Sequence, residues 1–155
     1  MYKKVAFLSM DSLENFYTYD KLLFEPLKTL DWIAEEISWR NETVNWSDFD
    51  AVVVRSTWDY QNDLSKFKNV LEKINSVSHL ENDIELMKWN MNKNYLFDLE
   101  QKGVRIVDTI WEKNFNSSKA HHYFDKLNTD EIIIKPNVSA SADNTFRLFK
   151  NNITE

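Results

Sequence analysis

The 155-residue chain contains no cysteine, one glycine and two prolines. Without cysteine it has no disulfide, no thiolate nucleophile and no thiolate metal site, which fits a reducing compartment. Glycine and proline stand far below their ordinary usage of about 7% and 5%. Turns must therefore be built from Asn, Asp and Ser, whose side chains hydrogen-bond to nearby backbone. Any phosphate-binding loop here has to work without the usual glycines. Positive charge is also short. Nineteen Lys and Arg against 25 Asp and Glu leave a formal charge of −6, a diffuse acidic balance poorly suited to a nucleic-acid backbone. No window approaches the ~18 apolar residues of a membrane-spanning helix. After Met1-Tyr2-Lys3-Lys4 only residues 5–8 form an apolar run, whereas a secretory signal core needs about 7–15. The expected location is the cytoplasm.

What is present argues for a packed α/β protein. Hydrophobic residues make up 43% of the chain and aromatics 14%. A chain of this size buries about 68–70% of its unfolded surface and needs no staple. Residues 4–9 (KVAFLS) read as a buried strand, followed by a polar aromatic loop over 11–19. Leu22, Leu23, Leu27 and Leu30 form a helical stripe, with Pro26 delaying or kinking the helix. Residues 33–39 read as a second strand, and 41–50 as a loop with one helical turn. Residues 51–55 (AVVVR) are β-branched and apolar on both faces, as in the centre of a parallel sheet. Asp63 is placed to cap a helix whose buried face is Phe67, Val70, Leu71 and Ile74. The rhythm β-α-β-(α)-β-α predicts a doubly wound α/β lobe.

The second half changes character. A helix is expected in the later part of 87–102, ended by Gly103 at a left-handed position. A short strand over 104–107, a helix over 117–127, a strand over 131–135 (EIIIK) and a returning strand over 145–150 follow. The boundary falls between residues 82 and 90, giving lobes 1–85 and 86–155.

Three clusters carry candidate chemistry. Lys135 ends an apolar strand, Pro136 stops it, and a small hydroxyl-rich loop with Ser139, Ala140, Ser141 and Thr145 follows. A fixed ammonium with loop amides and hydroxyls can hold an oligophosphate; the same pattern also suits a solvated lysine before an ordinary loop. Lys93 precedes a helix, where the macrodipole opposes it unless an anion lies between; a surface lysine is the plain alternative. Arg55, Ser56, Thr57 and Asp59 follow the central strand at its carboxyl end, where open α/β sheets bind ligands. Arg55 suits a carboxylate and Asp59 an amine, or the two pair with each other as a loop staple. His121 and His122 are adjacent on a helix, point about 100° apart and have no partner at ligand spacing, so no metal is expected there.

Taken in order, RSTWDY after the central strand, WNMNKNYLFDLEQKGVRIVDT and EIIIKPNVSASADNTFRL resemble the ATP-grasp superfamily. The likeness is to its glutathione-synthetase-like and cycloserine-ligase-like carboxylate–amine ligases, and it covers nearly the whole chain. It implies a Rossmann-like pre-ATP-grasp lobe followed by a small α+β first ATP-grasp subdomain. Lys93 would approach the ATP phosphates, Lys135 would touch adenine and the α-phosphate, and Ser139, Ala140, Ser141 and Thr145 would belong to a loop closing over the β- and γ-phosphates. Arg55, Ser56, Thr57 and Asp59 would line the side of a small amino-acid-like or peptide substrate. The cofactors implied are ATP and Mg²⁺, with Mg²⁺ ligands carried by a part of the family's length beyond Glu155. The expectation is therefore the front portion of a ligase acting through an acyl-phosphate and inactive alone. The competing expectations are a non-catalytic binding or interaction protein that retains the same fold, self-associating through exposed apolar surface, and a plain flavodoxin-like domain with one continuous sheet.

Overall fold

Residues 5–9 of β1 (Lys3–Ser9) are all buried, so both faces of this strand are covered, as in the middle of a parallel sheet. The computed structural model describes residues 2–152. It pairs β1 in parallel with β2 (Trp32–Ser38) on one side and β3 (Ala51–Ser56) on the other. A fourth strand, β4 (His79–Glu81), pairs with β3, and the sheet order is β2-β1-β3-β4. The sequence reading has no strand at 79–81, because three residues are too few to show a period. The buried Leu80 between exposed His79 and Glu81 is its only alternation.

The helices follow their caps and stripes. A 3₁₀ turn over Asp20–Leu23 leads into α1 (Phe24–Lys28). Pro26 sits in the first turn of α1, where the missing N–H has no intrahelical partner to lose. Phe24 and Leu27 pack on Val5, Phe7 and Ala51. α2 (Leu64–Val77) is capped by Asp63, whose carboxylate accepts from the Lys66 N–H at 3.0 Å. Phe67, Leu71 and Ile74 are fully buried along it, while Val70 is only half-buried. The Trp39 ring meets Phe67 edge-on at 5.2 Å. Contacts divide the chain into Met1–Trp89 and Asn90–Glu155. The first of these units is mixed α/β with one four-stranded parallel sheet.

The helical stretch around residue 90 is two helices. α3 (Ile84–Asn90) stops, and α4 (Tyr95–Gln101) starts after Asn92, Lys93 and Asn94. Gly103 ends α4 at φ +81°. Its N–H donates to the Glu100 carbonyl at 2.9 Å and that of Val104 to Leu99 at 3.0 Å, the bond pair that closes a helix over a left-handed residue. Residues 104–107 are not a strand. Val104 and Val107 are exposed, and β-branched residues without a strand to pair against do not make one. In the second unit α5 (Ala120–Leu127) buries Tyr123 and Phe124 against Ile132 and Leu148. Those two residues face each other across the antiparallel pair β5 (Glu131–Ile134) and β6 (Phe146–Phe149).

Candidate functional site

In the first unit the carboxyl ends of three strands bring three serines into register. Ser9 of β1 pairs with Ser38 of β2 and with Ser56 of β3. The pairing of β1 with β3 slips at this point: Leu8 faces Val54, but Ser9 faces Ser56. Arg55 is therefore the extra residue of a bulge, a device that re-aims side chains at sheet ends. Ser56 turns inward and is buried with Thr57, while Arg55 is exposed.

Arg55 does not pair with Asp59. Its Nε donates to Asp20 Oδ1 at 2.8 Å, and its Nη2 lies 2.7 Å from the same oxygen. Asp20 is only 2% exposed, and its other oxygen accepts from the Ser56 hydroxyl at 2.5 Å. A carboxylate this deep is tolerable only because both oxygens are filled. Asp59 is satisfied elsewhere, by the Trp39 indole N–H at 2.7 Å and Arg40 Nε at 2.9 Å. The Arg40 guanidinium stacks 4.0 Å from the Trp39 ring. Of the three serines in register, Ser9 is left over. The Ser9 hydroxyl is buried with no hydrogen-bond partner among the described residues, which costs about 1–3 kcal/mol.

Asp20, Trp39, Arg40 and Ser9 escape sequence reasoning. Asp20 opens a helical stripe, where an acid reads as an ordinary first-turn residue. Nothing in spacing ties it to Arg55, 35 positions later.

The second unit gathers Lys93, Lys135 and Ser139. The Lys93 N–H donates to the Asn137 carbonyl at 2.8 Å. Its ammonium donates to the Ser139 hydroxyl at 2.7 Å and to the Ser139 carbonyl at 3.1 Å. The Asn137 side chain donates to Asn94 at 2.9 Å. The segment after β5 is thus tied to the residues before α4. Burial, and then the nearby Lys135 charge, hold the Lys93 ammonium below the ordinary lysine range. Lys135 itself is exposed, one residue past β5. Among the described residues neither lysine has a carboxylate partner within salt-bridge distance.

The loop after Ser139 turns without glycine. Ser141 and Ala142 both adopt positive φ (51° and 60°), as does Asn144. The Asp143 N–H donates back to Ala140 at 2.9 Å, and that of Thr145 to Ala142 at 3.1 Å. A left-handed non-glycine residue costs roughly 1–2 kcal/mol, and Ala142 has no side-chain polar group to offset that cost. Ala140 and Thr145 are half-buried and Ser141 is exposed. Among the described residues no group of three or more His, Cys, Asp or Glu stands together to hold a metal ion, and no helix is long and apolar enough to cross a membrane.

Comparison with known proteins gives one consistent relationship. Residues 5–82 match the family described as the N-terminal domain of D-cycloserine synthetase DcsG. A curated relative, the cycloserine biosynthesis protein DcsG of Streptomyces lavendulae, is 36% identical over 87 residues, 56% of this chain and 29% of that protein. The crystal structure of D-cycloserine synthetase DcsG superposes with a TM-score of 0.80 at 28% identity, over 96% of this chain and 51% of that one. The chain thus spans about half the length of the solved relative, and the four-stranded parallel sheet belongs to the matched fold.

Proposed function

The chain belongs to the family of the D-cycloserine synthetase DcsG N-terminal domain, and from that premise we propose that it is the front portion of an ATP-dependent carboxylate–amine ligase of the ATP-grasp type. In such a reaction a substrate carboxylate attacks the γ-phosphorus of ATP, ADP leaves, and an acyl-phosphate forms. An amine then attacks the acyl carbon, and inorganic phosphate leaves as the C–N bond closes. Lys93 and Lys135 hold the nucleotide phosphates in this reading, with Ser139, Ala140, Ser141 and Thr145 in the loop over them. On the substrate side Arg55 faces the amino-acid-like substrate, while the buried Ser56 and Thr57 and the already paired Asp59 support the strand end behind it. The location that goes with this reading is the cytoplasm.

The observation that supports it is that Lys135 lies near enough to Lys93 to act on its charge, while neither lysine has a carboxylate partner among the described residues. Burial, and then the Lys135 charge, lower the Lys93 pKa, since like charges near each other disfavour the ionised form. An oligophosphate relieves that repulsion and gains charge-assisted hydrogen bonds from both lysines. Ser139 is the neutral placeholder that an anion would displace. Phosphoryl transfer also leans on Mg²⁺. In this reading these residues bind the nucleotide, and turnover belongs to the longer ligase.

Calorimetric titration with ATP tests the assignment. Lys135→Ala removes a charge-assisted contact of about 1.5–3 kcal/mol, and so weakens ATP roughly 10–100-fold. An unchanged dissociation constant removes Lys135 from the site. A second reading, a non-catalytic interaction protein, is favoured by one feature. The β5–β6 pair leaves Ile133 and Phe149 exposed on the face turned away from Ile132 and Leu148, apolar surface of the kind that partners cover. Light scattering that finds only monomer counts against it.

A further inference from the structure

We propose that Asp20 is a positioning residue: it holds Arg55 so that the outer edge of the guanidinium receives the carboxylate of an amino-acid-like substrate. The inference rests on the ligase reading and narrows its substrate side to one chemical group on one residue. A guanidinium can grip a carboxylate along two edges, Nε with one Nη, or both Nη together. Asp20 fills the first edge, through Nε at 2.8 Å and Nη2 at 2.7 Å. The edge made by the two Nη atoms has no partner among the described residues, and the Arg55 side chain is 38% exposed.

Three features keep that edge in place. Asp20 is buried, and its second oxygen is pinned by the Ser56 hydroxyl. The bulge in β3 sends Arg55 outward while Ser56 turns in. The Phe7 ring lies 5.9 Å from the guanidinium carbon. All of this sits at the carboxyl ends of the parallel strands, where open α/β sheets take their ligands. Ser9, opposite Ser56 in register, adds a buried hydroxyl with no partner among the described residues.

The pairing also sets what is recognised. Asp20 neutralises Arg55, so attraction by net charge is small and the planar pair of donors decides. A carboxylate offers an acceptor to each donor. A primary amide presents its own NH₂ to one of them and leaves that pair unmade.

The test follows the Arg55 Nε–H resonance by ¹⁵N-edited NMR on the 155-residue chain, titrated with D- and L-serine and with the two serine amides. Serine of at least one hand should move that resonance saturably, with the matching amide at least about tenfold weaker. Asp20→Asn should bring the serine-to-amide ratio close to one while the remaining amide spectrum keeps its dispersion; a purely structural role would weaken both ligands together and leave the ratio alone. Asp20→Glu should restore part of the ratio. If Asp20→Asn does not fold, Arg55→Gln carries the test with the Ser56 and Thr57 backbone amides as the reporters, because it removes the fork and leaves Asp20 an amide partner; the serine-to-amide ratio should again fall close to one. Equal binding of serine and its amide, a ratio unchanged by the substitution, or no binding of either overturns the proposal. A parallel ATP titration separates the two failures. ATP binding without serine binding sinks this inference and leaves the ligase reading standing. Serine binding without ATP binding does the reverse.

Discussion

The candidate sites of the two units handle their cations in opposite ways. In the first, each arginine near the sheet edge has its own carboxylate: Arg55 with Asp20, Arg40 with Asp59. In the second, Lys93 leans on a neutral serine, and its charged neighbour is another lysine. The first arrangement balances its charges internally. The second leaves positive charge without a carboxylate partner among the described residues. Arginine suits the one because its donors are rigid and planar; lysine suits the other because it is a compact point charge.

The sharpest way to break this contrast is to remove one cation from each unit and measure folding by urea denaturation. Arg55→Ala strands a buried carboxylate with only Ser56 for company. It should cost about 2–3 kcal/mol, below the range for a fully buried pair because the guanidinium is partly wet. Lys135→Ala should stay within about 0.5 kcal/mol, as for an ordinary surface change. Equal losses at the two positions would erase the distinction.

Proton linkage sharpens the second half of the comparison. The pKa of Lys93 is lowered by burial and by Lys135 from its ordinary 10.5. Between the depressed value and 10.5 the unfolded chain therefore holds more protons than the folded one, so stability contributed by this group rises with pH across that window. A bound oligophosphate reverses the effect by favouring the ammonium. ATP binding just below pH 10.5 should take up protons, seen as a dependence of calorimetric heat on the buffer's ionisation enthalpy. Heat that does not vary with the buffer would place the nucleotide away from Lys93.

Two smaller effects probe strain at each site. Ser9→Ala removes a buried hydroxyl that lacks a partner and should stabilise the chain by about 1 kcal/mol. A loss of stability would mean the hydroxyl is satisfied. Ala142→Gly relieves a left-handed alanine but loosens the unfolded chain, for a net gain of about 0.5–1 kcal/mol in thermal or urea unfolding. A loss would show that the turn carries no strain.

How far each feature could be read in advance depends on its range along the chain. The run AVVVR, the cap at Asp63 with its stripe at Phe67, Leu71 and Ile74, and Gly103 closing a helix are all local signals, and each corresponds to an element of the fold. The strand expected at 104–107 failed because strand formation needs a neighbour that no local pattern can supply. β4 went unseen for the converse reason: its three residues are a strand only because β3 lies beside them. The lysines and the hydroxyl loop were recognisable as a pattern, whereas the partners of Arg55 and Asp59 were not.

Composition, periodicity and caps alone determined that this chain is α/β and that cationic and hydroxyl side chains lie at strand ends. Only the tertiary structure decided which charges meet. Asp20 reaches Arg55 across 35 residues because parallel pairing and one bulge bring two strand ends beside a helical turn. Lys93 reaches Ser139 across 46 because the backbone at Asn137 bonds to the segment before α4. Such contacts are closed by burial and backbone pairing summed over many residues, and no window short enough to show a pattern contains both ends.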